Sequence, residues 1–401
     1  MNIKQAYLPE ILEPTKMLSK AAQNLTGQPM FDMLAKAQQK ERAGNNLIHL
    51  ELGDPDFSAP QHVIEATYQA MLSGMTHYVD SKGLPEFRQS IRENLVKSFG
   101  LELDYNQVIV TPGANSGIYW VIRCLANVGD EIIIPDPGFA TFKAAANAAC
   151  VIARPYSLDQ KNKFRPDFDQ IEKLINNKTK LFILNSPSNP TGASIPEEDL
   201  ERIYQLAEKY DFHVLSDDTY RRMTFESPFA PSITDHDNCR SRTILLSGLS
   251  KEYSMSGFRL GYLAGPHKLM EKVALYVETV ASCVPPFLQL GGVAALEGDQ
   301  SIRLKQLDIV RQRRDLLVNK LNAIKGVDCL KPDGGLYLFP CIKGTGFNGD
   351  QFANLLLEEA GIVCVSGSAF GQNGDNHIRL SLNKDIALSE TIVDKIASVL
   401  D

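Results

Sequence analysis

The chain is poor in cysteine, and the seven it has are scattered: Cys124, Cys150, Cys239, Cys283, Cys329, Cys341 and Cys364. No two stand in a C-x-x-C spacing, which argues against a zinc or redox ribbon, and a disulfide framework does not suit a chain of 401 residues. A reducing compartment fits. No run of about 18 apolar residues occurs, so no membrane-spanning helix is expected. The opening residues, MNIKQAYLPEILEPTKML, lack the unbroken apolar stretch of a secretory signal, and a cytoplasmic location is the expectation. Basic charge is also in deficit, with 41 Lys and Arg against 48 Asp and Glu and a net charge of −7. Nucleic-acid backbones and anionic membranes both call for a basic surface, so neither is expected as a partner. A local positive pocket for a small anion stays open. Internal repeats and low-complexity tracts are absent too.

What is present reads as ordinary globular composition, 44% apolar and 22% charged. Its length exceeds one core, so two domains are expected. Short apolar runs that alternate poorly lie at Val108–Val110, Glu131–Ile134, Leu181–Leu184, His213–Ser216, Thr243–Ser247 and Tyr262–Ala264. Such runs suit strands covered on both faces in a largely parallel sheet. Between them, Leu84, Phe87, Ile91 and Leu95 form one helical stripe, and Leu200, Ile203 and Leu206 another, with Pro196 near its start. This βα alternation defines a large α/β domain over residues 51–285. After Pro285-Pro286 comes a long helical pattern through Leu307, Val310, Leu317, Leu321 and Ile324. A short-strand region at Gly335–Pro340, a helix at Phe352–Ala360 and more strands follow. Residues 286–401, joined by 1–50 with its N-terminal arm, are expected to form a smaller α+β domain.

Several motifs sit where this alternation places loops at strand ends. In SGLSKEYSMSGFRLGY, Lys251 follows a buried strand, at the edge where open α/β sheets bind ligands, and Arg259 comes eight residues later. An amine attacks an aldehyde in its neutral form, which a fixed neighbouring cation favours. Alone, a surface lysine beside a structural arginine is the commoner arrangement. Thr111-Pro112-Gly113-Ala114-Asn115 leads from a strand into a helix, so free backbone N–H groups and the positive helix end can receive an anion; a tight turn is the plainer reading. Asn189-Pro190-Thr191-Gly192 is ordinarily just a turn, although Asn189 could point its amide at a bound oxygen. Asp217 ends the strand HVLSD and, if buried, could pair with a protonated ring nitrogen; a solvated loop carboxylate is commoner. Phe139 could lie flat on a ring or simply fill the core. Arg379 in HIRLSLN offers a planar fork to a carboxylate or forms a surface ion pair.

Each motif alone favours its plain reading, but their order and context match one family. The sequence resembles the class I and II aminotransferases, the fold-type-I pyridoxal-phosphate enzymes, from LELGDPDF near residue 50 to HIRLSLN near 380. The resemblance implies a homodimeric enzyme of amino-acid metabolism, a transferase moving an amino group between a 2-amino acid and a 2-oxo acid. It implies that Lys251 carries pyridoxal 5′-phosphate and that Arg259, with the backbone of Gly113, Ala114 and Asn115, holds the phosphate. Asp217 would face the ring nitrogen, Asn189 and Tyr220 the ring hydroxyl, and Phe139 the ring plane. Gly53, Asn189 and Arg379 would hold the substrate carboxylate. Tyr78 would reach the neighbouring subunit's phosphate, and Met30, Phe31 and Tyr337 would line the side-chain pocket. No metal is implied.

Two positions depart from the family pattern. Many relatives have serine three residues before the lysine, where this chain has Gly248; Ser250 stands adjacent to Lys251. Some bacterial aspartate-specific members have lysine where this chain has Asn115, which weakens a dicarboxylic substrate. The alternatives are a lyase or synthase on the same scaffold, such as a carbon–sulfur β-lyase, and a non-catalytic regulatory protein that keeps the fold. The latter would need a DNA-binding extension, and the short N-terminal arm is not basic.

Overall fold

The computed structural model describes residues 18–25 and 27–400. Residues 1–17, part of the expected N-terminal arm, lie outside them. At the centre is a seven-stranded sheet: β1 (Val108–Pro112), β2 (Glu131–Asp136), β3 (Ile152–Ser157), β4 (Thr179–Asn185), β5 (His213–Asp217), β6 (Thr243–Gly248) and β7 (Leu260–Ala264). Their order across the sheet is β1, β7, β6, β5, β4, β2, β3. All neighbours run parallel except β7, which is antiparallel to both β1 and β6. Six of these strands coincide with the apolar runs of the sequence, and helices cover both faces, as the α/β reading requires.

β3 has no counterpart among the predicted strands. It is an edge strand with largely solvent-facing residues, IARPYS, so it lacks the apolar run by which the others are recognised. Pro155 is tolerated there because one edge of the strand needs no hydrogen-bond partner.

The helix Pro286–Glu297 was also not foreseen. Two central glycines, ordinarily weak helix formers, obscure its pattern, and packing explains them. A Cβ on Gly291 would fall 2.1 Å from Thr67 Oγ1, and one on Gly292 would fall 2.5 Å from the Phe87 ring. The glycines let this helix settle against Gln61–Leu72 and Pro85–Phe99. The expected boundary assigned residues 286–297 to the smaller domain, whereas their packing partners lie within 51–285.

Beyond it, the helix Ser301–Leu321 buries Val310, Leu317 and Leu321 in a separate apolar core with Leu338, Phe352, Ile378 and Leu380. A three-stranded antiparallel sheet there places Ile378–Ser381 between Val365–Ser366 and Tyr337–Leu338. Ile48–His49 pairs in parallel with Ile362–Val363, bringing that segment to this core. Among the described residues, no helix is long and apolar enough to cross a membrane.

Candidate active site

The parallel strands β4, β5 and β6 end side by side, and their carboxyl ends open on a cavity of about 500 Å³. Asp217, the last residue of β5, is 5% exposed. Its carboxylate accepts the Thr219 hydroxyl at 2.6 Å and the Thr219 N–H at 3.2 Å. Burial outweighs these two bonds and pushes the Asp217 carboxyl up to about 6. The facing residue on β4, Asn185, braces the floor: its amide donates to the Asp217 backbone oxygen at 3.1 Å, and its side-chain oxygen accepts the Asn189 N–H at 2.7 Å. Strand alternation sends the next carboxylate the other way. Asp218 accepts the Ser216 hydroxyl at 2.5 Å and lies 3.5 Å from Arg221, itself held by Asp235.

Lys251 follows β6, and its Nζ donates to the Gly53 carbonyl at 2.8 Å. A side chain at Gly53 would force Tyr337 to move, because a Cβ there would lie 1.7 Å from the Tyr337 hydroxyl oxygen. That hydroxyl is 3.1 Å from the Tyr220 hydroxyl. Burial and the neighbouring Tyr337 hold the Tyr220 phenol well above its ordinary range.

At the far end of the cavity, β1 turns through Gly113, at φ +79°, into the helix Ala114–Leu125. Ala114 and Asn115 line the cavity at the helix's N-terminal turn, where unpaired N–H groups and the helix dipole favour an anion. Arg259 closes the same corner and donates to the Ser256 carbonyl at 2.9 Å. One guanidinium nitrogen of Arg259 lies 2.3 Å from where a Cβ on Gly113 would stand, so the missing side chain is what admits the arginine.

Arg379, on Ile378–Ser381, is 1% exposed. It donates to Asn189 Oδ1 at 3.1 Å and to the Glu51 carbonyl, and its guanidinium lies 4.4 Å from the Tyr337 ring centre and 4.7 Å from that of Phe370. Burial lowers its pKa, and its Nε is buried without a partner.

The cavity thus brings together Gly53, Ala114, Asn115, Phe139, Asn189, Asp217, Tyr220, Ser250, Lys251, Arg259 and Arg379. Gly113 backs its anion corner. Tyr78 is not in it; its side chain is 85% exposed on the surface of the single chain. Met30, Phe31 and Tyr337 form part of the wall. Sequence reasoning passed over Asn185, Thr219, Ser256 and Gln28, which also line the cavity. Thr219 carried a signal, since a hydroxyl two residues after an aspartate commonly bonds back to it. Asn185, at the end of an apolar strand, carried one as well.

The family model described as aminotransferase class I and II matches residues 45–396. The chain belongs to that family. It is 35% identical over 373 residues to an aspartate aminotransferase of Musicola paradisiaca (strain Ech703), covering 92% of each chain. To aromatic-amino-acid aminotransferase 2 of Thermococcus litoralis it is 34% identical over 358 residues, 88% of this chain and 92% of that one. Among solved structures, an alanine aminotransferase from Pyrococcus furiosus superposes with a TM-score of 0.91 at 29% identity, over 96% of this chain and 99% of the other. The protein is therefore an aminotransferase of the pyridoxal-phosphate-dependent kind. The lyase and the non-catalytic readings are set aside.

Proposed function

We propose that the cavity binds pyridoxal 5′-phosphate on Lys251 and that Arg379 receives the α-carboxylates of a 2-amino acid and of a 2-oxo acid in turn. The observation that carries this is the convergence of one lysine, one buried carboxylate, one anion corner and one buried arginine fork on a single cavity. The residues fit the cofactor. A buried Asp217 without a cationic partner is pushed toward its neutral form, and a ring N–H⁺ beside it would reverse that. The corner of Gly113, Ala114, Asn115 and Arg259 suits a phosphate, with Ser250 as a further donor. Phe139, Asn189 and Tyr220 line the same cavity, where Phe139 would cover the ring and the other two would meet its hydroxyl.

When bound, the cofactor supplies an aldehyde that takes up the amino group and a protonated ring that draws electrons from the α-carbon. The protein supplies position and protons. Arg379 and Asn189 orient the substrate carboxylate beside Gly53, which keeps the α-carbon near Lys251. Lys251 Nζ, as a free neutral amine, would accept the proton of the substrate α-carbon. Asp217 would hold a proton on the ring nitrogen of the bound cofactor. Met30, Phe31 and Tyr337 face the substrate side chain.

The same reading includes a homodimer, supported by Tyr78, a largely exposed tyrosine close in sequence to the helix Pro85–Phe99. It also includes a reducing, cytoplasmic setting, supported by seven unpaired thiols.

The test is purified enzyme screened against common amino acids with 2-oxoglutarate or pyruvate as acceptor, beside Lys251→Ala. Wild type should be yellow and transaminate, and borohydride should fix the cofactor to the peptide containing Lys251. Lys251→Ala should fold and be inactive. Fixation to another lysine overturns the assignment.

A further inference from the structure

The three residues after Lys251 each reach one face of the helix Ser301–Leu321 or its N-cap. Glu252 lies 3.3 Å from Arg303, the Tyr253 hydroxyl donates to Gln300 at 3.0 Å, and the Ser254 hydroxyl donates to Gln306 at 3.3 Å. Positions 300, 303 and 306 share a face by helical periodicity. Glu252 also lies 2.9 Å from Arg222, which Ser98 and Asn94 hold from behind. The carboxylate is only 11% exposed and sits between two guanidinium groups that are 11% and 15% exposed.

Ten residues further along, about 15 Å at 1.5 Å per residue, Arg313 grips the other side of the site. It donates to both oxygens of Asp56, at 2.7 and 2.9 Å, and to the Leu382 carbonyl at 3.0 Å. Asp56 stands three residues from Gly53, whose carbonyl receives Lys251 Nζ. One rigid helix therefore fixes both the loop that carries the lysine and the segment that receives its amine.

We propose that Glu252, clamped by Arg222 and Arg303, is a positioning residue for Lys251, a role that rests on Lys251 being the cofactor lysine. Without its charge, the loop loses its central attachment to the helix, and the amine no longer stays within reach of both Gly53 and the α-carbon. A displacement of order 1 Å in such a geometry costs up to about a hundredfold in rate. Tyr253 and Ser254 remain as attachments, so a tenfold loss is expected.

The experiment uses holoenzyme of Glu252→Gln, Arg303→Gln, Arg303→Lys and the Glu252→Gln/Arg303→Gln double variant. Arg311→Gln, whose partner is the exposed Asp308, is the control. Two quantities are measured at equal cofactor content: the rate of the half-reaction with amino acid, and the visible circular dichroism of the resting enzyme. The second reports how firmly the bound cofactor is oriented. Glu252→Gln and Arg303→Gln should each lose about tenfold in maximal rate with KM changed less than twofold, and at least half of the visible dichroism. The double variant should be no worse than either single one, as members of one clamp should behave. Arg303→Lys should retain most of both, and Arg311→Gln all of both. If Glu252→Gln does not fold, the Arg303 pair carries the test. Unchanged rate and dichroism in Arg303→Gln, or losses that multiply in the double variant, overturn the proposal. A fall in Tm alone does so too. A wild type that takes up no pyridoxal phosphate overturns the reading of the cavity, and this proposal with it.

Discussion

Asp217 and Asp218 are adjacent, both buried, and both have carboxyls pushed up to about 6, chiefly by desolvation. They face opposite ways, so substitution at each tests a different function. For Asp217, the rise from 3.8 to about 6 corresponds to a net disfavouring of the ionised form by about 3 kcal/mol, at about 1.4 kcal/mol per unit, with burial outweighing the two Thr219 bonds. A ring N–H⁺ docked on that carboxylate would favour the ionised form and oppose the rise. Asp217→Asn keeps the size and can still accept from Thr219, but it removes the charge that holds the ring proton while electrons leave the α-carbon. If about 3 kcal/mol is lost in that transition state, the rate falls roughly a hundredfold. Single-turnover kinetics should show that loss in the half-reaction, while cofactor uptake by Lys251 persists with weaker affinity. Asp218→Asn should leave the half-reaction within about twofold, because its partners Ser216 and Arg221 lie on the far side of the strand. A crippled Asp218→Asn beside a near-normal Asp217→Asn would refute the register argued for β5.

Asp218 also carries a pH signature. A raised carboxyl contributes stability that is present below its unfolded value of about 3.8 and is lost as pH rises through about 6. In urea denaturation, wild type should therefore gain about 1 kcal/mol relative to Asp218→Asn between pH 7 and pH 5; a gain in the opposite direction would contradict the assignment. Gly113→Ala should fold but retain cofactor at least tenfold more weakly, since its Cβ displaces Arg259 and φ is +79°. Equal cofactor retention on dialysis would remove Arg259 from the phosphate corner. Arg379→Lys should raise KM for the amino acid tenfold or more, because a point charge cannot replace the planar fork. Unchanged KM would take Arg379 out of the substrate site. Sedimentation at micromolar concentration should give a dimer, and a fully active monomer would exclude a shared site.

Six of the seven central strands were legible because strands buried on both faces must be apolar throughout, and such runs stand out in sequence. β3 was not, because an edge strand is free of that demand. The reversed direction of β7 was hidden for another reason: Leu260–Ala264 is as apolar as its parallel neighbours, and composition does not encode direction. The helix Pro286–Glu297 stayed hidden because its glycines answer to Thr67 and Phe87, more than 200 residues earlier. In each case the missing information lay in a neighbour rather than in the segment itself.

The site divides along the same line. Asn189, Asp217 and Lys251 could be picked out because each follows an apolar run at the same end of a parallel sheet, where the topology gathers them whatever their separation in sequence. Local pattern suffices for groups whose position is set by the strand they terminate. Glu252 and Arg313 are different, for their contacts hold other residues: the loop of Lys251, and Asp56. Nothing adjacent to Arg313 in sequence distinguishes it from the other arginines of RQRRDLL, since its meaning comes from a carboxylate 257 residues away. The strand-end residues proposed to meet cofactor and substrate were therefore readable from one dimension, and the residues that brace their loops required three.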